Sequence, residues 1–149
     1  MKRVTWLMLV ILSLLLAACG GKSTKLPATV SSAAIPGQKV AVPGGEYTDI
    51  TVDALQGMLK NKDFVFVNVH IPFEGDIANT DVSIPYNEID KQLNQLPASK
   101  DARIVLYCRS GRMSGIAAET LVGLGYTHVA NLEGGMVAWE QAGLPIEGR

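Results

Sequence analysis

The chain has 149 residues, room for one domain of ordinary size once any targeting segment is set aside. Its 13 basic and 14 acidic residues leave a formal net charge of −1, without the basic surplus that nucleic-acid binding requires. Cysteine is used twice, at Cys19 and Cys108, too sparsely for a framework of disulfides.

Residues 1–18 read MKRVTWLMLVILSLLLAA. Lys2 and Arg3 make a positive start, Trp6 to Leu16 an apolar core, and Ala17-Ala18 a small-residue exit, the three-part layout of a secretory signal peptide. The apolar core is shorter than the roughly 20 residues a bilayer span needs. Leu16-Ala17-Ala18-Cys19-Gly20 resembles the bacterial lipobox. That resemblance implies that Cys19 heads the mature chain as a lipoprotein, with palmitate-type acyl groups on its sulfur and amine. Two or more chains on one residue suffice for stable anchoring. The expected location is the cell envelope, lipid-anchored to a membrane on the extracytoplasmic side. Without Lys2 and Arg3 the chain carries 11 basic residues against 14 acidic, a net of −3. Acylation of Cys19 also leaves Cys108 with no partner in the chain. A spare thiol outside the cytoplasm is a liability, so its retention points to a use.

Residues 20–45 are mostly Gly, Ser, Ala, Pro and Lys, too poor in periodic apolar residues to order themselves, and read as a flexible tether over 19–45. Within it Val40-Ala41-Val42 has an edge-strand pattern that Pro43 and Gly44-Gly45 are expected to stop. The folded domain, 46–149, then alternates strand and helix patterns. Tyr47–Ile50 is a short strand, and Thr51 caps a helix over Val52–Lys60 that buries Leu55, Met58 and Leu59. Phe64–Val69 is a continuous apolar strand of the kind covered on both faces. Asp81–Pro85 is another short strand, and Glu88–Leu96 a helix closed by Pro97. Arg103–Tyr107 is an apolar strand ending at Cys108. Met113–Leu124 is a helix closed by Gly125, followed by a strand over His128–Leu132. A last helix, Gly135–Ala142, uses Trp139 to pack on the sheet. This order predicts an α/β domain, a mainly parallel central sheet with helices on both faces. Such sheets bind ligands at the carboxyl ends of their strands, where Cys108 stands.

Cys108 opens the stretch CRSGRMS between a strand and a helix. A tight turn there brings main-chain N–H groups and the first-turn donors of the helix toward the sulfur, which favours its ionised form. Arg109 and Arg112 add charge that suits an oxyanion. Gly111 supplies positive φ, and Ser110 or Ser114 is placed to cap the helix. Cys108 is therefore the expected nucleophile, with Arg109, Ser110, Gly111, Arg112, Met113 and Ser114 as the substrate cradle. His70 reads as an exposed loop residue, its alternative being a proton relay near the site. His128 has a plain structural reading. Two histidines with no second free thiol give no metal-site spacing, and no organic cofactor is implied.

Cys108 to Ser114 resembles the active-site loop of single-domain rhodanese-like sulfurtransferases. Asn131-Leu132-Glu133-Gly134-Gly135-Met136-Val137-Ala138-Trp139-Glu140, followed by Ala142-Gly143-Leu144-Pro145, resembles that family's C-terminal ending. The resemblance implies a thiosulfate sulfurtransferase-like enzyme with a rhodanese-like fold. Its cysteine would take a sulfane sulfur from a small, thiosulfate-like donor, become a persulfide, and pass the sulfur to a thiol or cyanide-like acceptor. The chain departs from the family in two places. Asn68-Val69-His70 replaces Asp-Val-Arg, and Gly75-Asp76-Ile77-Ala78-Asn79-Thr80 replaces Gly-His-Ile-Pro-Gly-Ala. Two other readings stand beside the transferase. One is a non-catalytic, lipid-anchored persulfide carrier or partner-binding module. The other, a phosphatase or arsenate reductase, needs an arginine after five intervening residues, where this chain has Ser114.

Overall fold

The computed structural model describes residues 34–149. The signal-peptide pattern, Cys19 and most of the expected tether lie outside the described residues. In chain order the elements are β1 (Gln38–Val42), β2 (Gly45–Ile50), α1 (Val52–Leu59), β3 (Val65–Asn68), β4 (Asp76–Ile77) and β5 (Val82–Ser83). They continue with β6 (Arg103–Tyr107), α2 (Arg112–Gly123), β7 (His128–Leu132), α3 (Gly135–Gln141) and β8 (Ile146–Glu147). Six strands form one sheet in the order β1-β2-β7-β6-β3-β5, and β4 and β8 form a separate antiparallel pair. Only the β1–β2 hairpin is antiparallel in the large sheet; the other neighbours run parallel. The expected α/β class, a mainly parallel sheet with helices on both faces, is the class observed.

Strand β6 shows why the sheet needs two helical layers. Side chains alternate across a strand, so Ile104 and Leu106 point to one face while Val105 and Tyr107 point to the other. All four are fully buried. Ile104 and Leu106 join Val67, Val69, Ala117 and Leu121 beneath α2. Val105 and Tyr107 join Phe66, Leu55, Met136 and Trp139 beneath α1 and α3. Helix α1 starts where expected: the Thr51 hydroxyl accepts from the Ala54 N–H at 3.2 Å. Helix α2 is closed by Gly125, whose φ of +90° is accessible at little cost without a Cβ. Trp139 packs as expected, and its indole N–H donates to the Pro145 carbonyl.

Two expectations are corrected. The domain begins before residue 46, because β1 pairs with β2 over five residue pairs and Ile35 is only 6% exposed within the core. Val40-Ala41-Val42 pairs as the edge strand its pattern suggested, and Pro43 and Gly44 end it as expected. They do so by turning the chain into β2, with Gly44 supplying the positive φ, +92°, that a turn after proline uses. Glu88–Leu96 is not an α-helix. Lys91 and Gln95 close three-residue turns onto Glu88 and Gln92, and a single 3₁₀ turn covers Leu93–Gln95. A stretch this short needs packing to become helical. Here only Ile89 and Leu96 are buried in the core, at the two ends of the segment.

Removing β1 therefore carries a cost. A chain beginning at residue 45 should be less stable than one beginning at 34 by at least about 2 kcal/mol, the contribution of one buried isoleucine side chain. Urea unfolding of the two measures this, and coincident midpoints refute it.

Candidate functional site

Cys108 follows the last residue of β6 and is 1% exposed. In the β3–β6 ladder Asn68 stands opposite Tyr107, which puts the end of β3 beside the thiol. The chain then turns through Arg109, Ser110 and Gly111 into α2. Gly111 has φ +87°, and a Cβ there would crowd the Gly134 nitrogen at 3.1 Å and the Leu132 carbonyl at 3.3 Å. The loop thus lies against the turn between β7 and α3.

That contact is a hydrogen-bonded one. The Met136 N–H donates to the Cys108 carbonyl and the Val137 N–H to the Arg109 carbonyl, each at 2.9 Å. The Gly111 carbonyl accepts from the Gly115 N–H at 3.0 Å and the Ser114 hydroxyl at 3.2 Å. In a trans peptide the C=O and the following N–H point opposite ways. Fixing these carbonyls aims the N–H groups of Arg109, Ser110 and Arg112 away from their partners. None of the six N–H groups from Arg109 to Ser114 has a protein acceptor among the described residues. Three of them are the orphan donors of the first turn of α2.

Ser114 does not cap the helix as expected. Gly111 occupies the cap position in left-handed geometry with no side-chain cap, and Ser110 is exposed. Ser114 is fully buried instead, its hydroxyl 3.4 Å from the Cys108 sulfur. Met113 is half-buried against the core. The two arginines diverge in role. Arg109 is exposed but paired with Glu74, whereas Arg112 is exposed and makes no ion pair among the described residues.

Glu74 escaped the sequence reading, since nothing local marks a carboxylate 35 positions from its arginine. The Arg109 guanidinium beside it holds its carboxyl below the usual carboxylate range, with a further lowering from His70. The His70 Nε2 lies 3.7 Å from the Glu74 Oε1. His70 is not the exposed loop residue expected: its side chain is 7% exposed, and neither ring nitrogen has a hydrogen-bond partner among the described residues. The reason is its place two residues past the end of β3, on the side of Glu74 and the Cys108 loop.

Beneath these groups the two departures from the family pattern meet. The Asn68 amide donates to the Asp76 carboxylate at 2.8 Å and to the Gly75 carbonyl at 3.0 Å. The Tyr107 hydroxyl donates to the same Asp76 oxygen at 3.0 Å and accepts from the Ile77 N–H at 3.0 Å. Burial pushes the Tyr107 phenol well above its usual range, so it stays a neutral donor. No group of three or more potential metal ligands occurs among the described residues.

A mainly parallel α/β sheet thus ends in a recessed thiol, wrapped by a loop of unpaired amides. Residues 51–142 match the model of the rhodanese-like domain, and the chain belongs to the rhodanese-like domain family. A sulfurtransferase of Allochromatium vinosum is 36% identical over 94 residues, covering 61% of this chain and 85% of that protein. The thiosulfate sulfurtransferase GlpE of Vibrio cholerae is 30% identical over 103 residues, covering 68% and 95%. A Synechocystis protein described as uncharacterized is 34% identical over 102 residues, 66% of this chain but only 56% of its own length. Among solved structures, a rhodanese-like domain protein from Staphylococcus aureus is 33% identical with a TM-score of 0.56, covering 67% of this chain and 98% of that one. The family is one with sulfurtransferase members.

The approach of α3 to the loop depends on Gly135, with φ +55° and a position where a Cβ would overlap the Cys108 carbonyl oxygen. Gly135→Ala is expected to destabilise the domain by about 3 kcal/mol or more, from combined strain and overlap. Gly57→Ala, on the exposed side of α1 with nothing near its Cβ, is expected to be neutral or to stabilise by up to about 1 kcal/mol. Thermal unfolding of both variants gives the comparison.

Proposed function

We propose that the protein is a rhodanese-type sulfurtransferase in which Cys108 carries sulfur as a persulfide between a sulfane-sulfur donor and a thiophilic acceptor. The carrying observation is the anchoring of the Cys108 and Arg109 carbonyls by α3, with six unpaired amides left around the lone thiol of the described residues. Unpaired amides are suited to hold negative charge on the donor, on the outer sulfur of the persulfide, and on the departing group in turn. In the first half-reaction the Cys108 thiolate attacks the outer sulfur of the donor. The donor's bond to that sulfur breaks, the electron pair leaves with the remainder of the donor, and Cys108 is left as a persulfide anion. In the second half-reaction a thiolate or cyanide attacks that outer sulfur and restores the Cys108 thiolate. The relatives from Allochromatium vinosum and Vibrio cholerae, both sulfurtransferases by name, support the same reading.

On this proposal Ser110, Gly111, Met113 and Ser114 contribute main-chain donors. Arg112 is the cation available to the incoming donor, while Arg109 is engaged by Glu74. The signal-like pattern of residues 1–18 and the lipobox-like Leu16–Gly20 support work at the extracytoplasmic face of a membrane, held by lipid on Cys19.

Intact mass of the full-length protein after exposure to a sulfane-sulfur donor should show the gain of one sulfur atom. Cyanide should remove it, and Cys108→Ser should never acquire it. A protein that gains sulfur but shows no turnover with cyanide or thiols is a carrier rather than an enzyme, and one that gains none with any donor is neither. Arg112→Ala should lower kcat/KM for an anionic donor by about tenfold with little change in stability. Unchanged kinetics would remove Arg112 from the site.

A further inference from the structure

We propose that the site selects its sulfur donor by charge, favouring low-molecular-weight persulfides that carry an ammonium group over dianions such as thiosulfate. This rests on the sulfurtransferase reading and deepens it. The ground is the set of side chains that flank the Cys108 loop. On one side a cavity of about 410 Å³ is lined by Glu74, Arg109, Glu140 and Arg149, with the exposed Phe73 at its wall. Both guanidiniums there already have a carboxylate, Arg109 with Glu74 and Arg149 with Glu140. On the other side a cavity of about 380 Å³ places Arg112 among Asp49, Glu119 and Glu133. Asp49 and Glu119 both act on Tyr47 in the same wall, raising its phenol beyond what burial alone does.

Five carboxylates thus stand against three guanidiniums around the loop. The wider field has the same sign, since residues 34–149 hold 9 basic and 14 acidic side chains. Cavities lined by an excess of one charge concentrate ligands of the other and repel their own. A dianion meets this excess before it reaches the amides of the loop.

A buried polar group in the second cavity points the same way. Asn131 is 5% exposed and lines that cavity. Its amide nitrogen donates to Asp49 at 2.8 Å, which fixes the orientation of the group. Its Oδ1 then has no hydrogen-bond partner among the described residues. An unpaired carbonyl oxygen accepts from an N–H and rejects an oxyanion. An ammonium group offers N–H donors to this carboxylate-rich wall, while the persulfide end of the same molecule is directed to the amide-lined loop that borders the cavity. The transfer is balanced: the Cys108 thiolate attacks the outer sulfur of R–S–SH, the S–S bond of the donor breaks, and the departing thiolate takes up the proton that the transferred sulfur gives up and leaves as R–SH. Cys108 is left as a persulfide anion with no net oxidation.

Two probes of equal length isolate the charge, 2-aminoethyl persulfide and 2-carboxyethyl persulfide, with loading of the full-length protein followed by intact mass. At low ionic strength the ammonium probe should load Cys108 about tenfold faster. The ratio should fall toward one as salt screens the field. Glu119→Gln and Glu74→Gln should each lower the ratio at low salt, and the salt series on the unmodified chain decides the matter should a variant fail to fold. A ratio of one, a reversed ratio, or one indifferent to salt overturns the charge preference alone. No loading by either probe overturns the charge preference, and no loading by thiosulfate as well overturns the sulfurtransferase reading along with it.

Discussion

The site depends on two hydrogen bonds between main-chain groups, from the first amides of α3 to the carbonyls of Cys108 and Arg109. They satisfy donors that every helix start leaves open, and in the same act they orient the peptide units of the loop. With those carbonyls turned toward α3, the amides that follow are turned away from it and stay unpaired. The loop that holds Cys108 is therefore shaped by the main chain of α3. Gly135 is what permits the approach, because any Cβ at that position would occupy the space of the Cys108 carbonyl.

Below the loop, a polar cluster takes the place of further hydrophobic packing. Tyr107 sends its ring into the core beside Phe66 and its hydroxyl to Asp76 and the Ile77 amide. Asn68 reaches Asp76 from the neighbouring strand. Buried polar groups are tolerable when every member finds a partner, and here one carboxylate oxygen gathers donors from two strands. The short β4–β8 pair lies across the same region and holds the segment that leads from Glu74 into β4. The strand end that positions the thiol and the segment that engages Arg109 are thus tied to one cluster.

The sequence was most legible where periodicity was long or a motif was compact. β6 and β7 were read to the residue, and α1, α2 and α3 to within one residue at each end, because their apolar faces repeat and their ends carry Thr51, Gly125 and Gly143. The Cys108 loop was legible as a tight turn between strand and helix. What escaped were relations across the chain. A Pro-Gly pair reads equally as a strand stop and as a hairpin turn until a partner strand exists, and β2 supplies one. The segment from Glu88 to Leu96 has helical spacing but little core to pack on. The partners of Arg109 and Asn68, and the burial of His70, are set by neighbours brought in by the sheet, which no local pattern encodes. Even so, the two family departures at Asn68 and Asp76 were both visible in the sequence, and only their contact was not.

The recessed thiol carries a consequence for oxidation. A disulfide needs the two β-carbons within about 4.5 Å of one another, so each sulfur must be reachable from outside its own fold. A sulfur buried to 1% exposure under its loop cannot meet its counterpart in a second molecule. Burial under the loop thus keeps Cys108 from covalent pairing between copies.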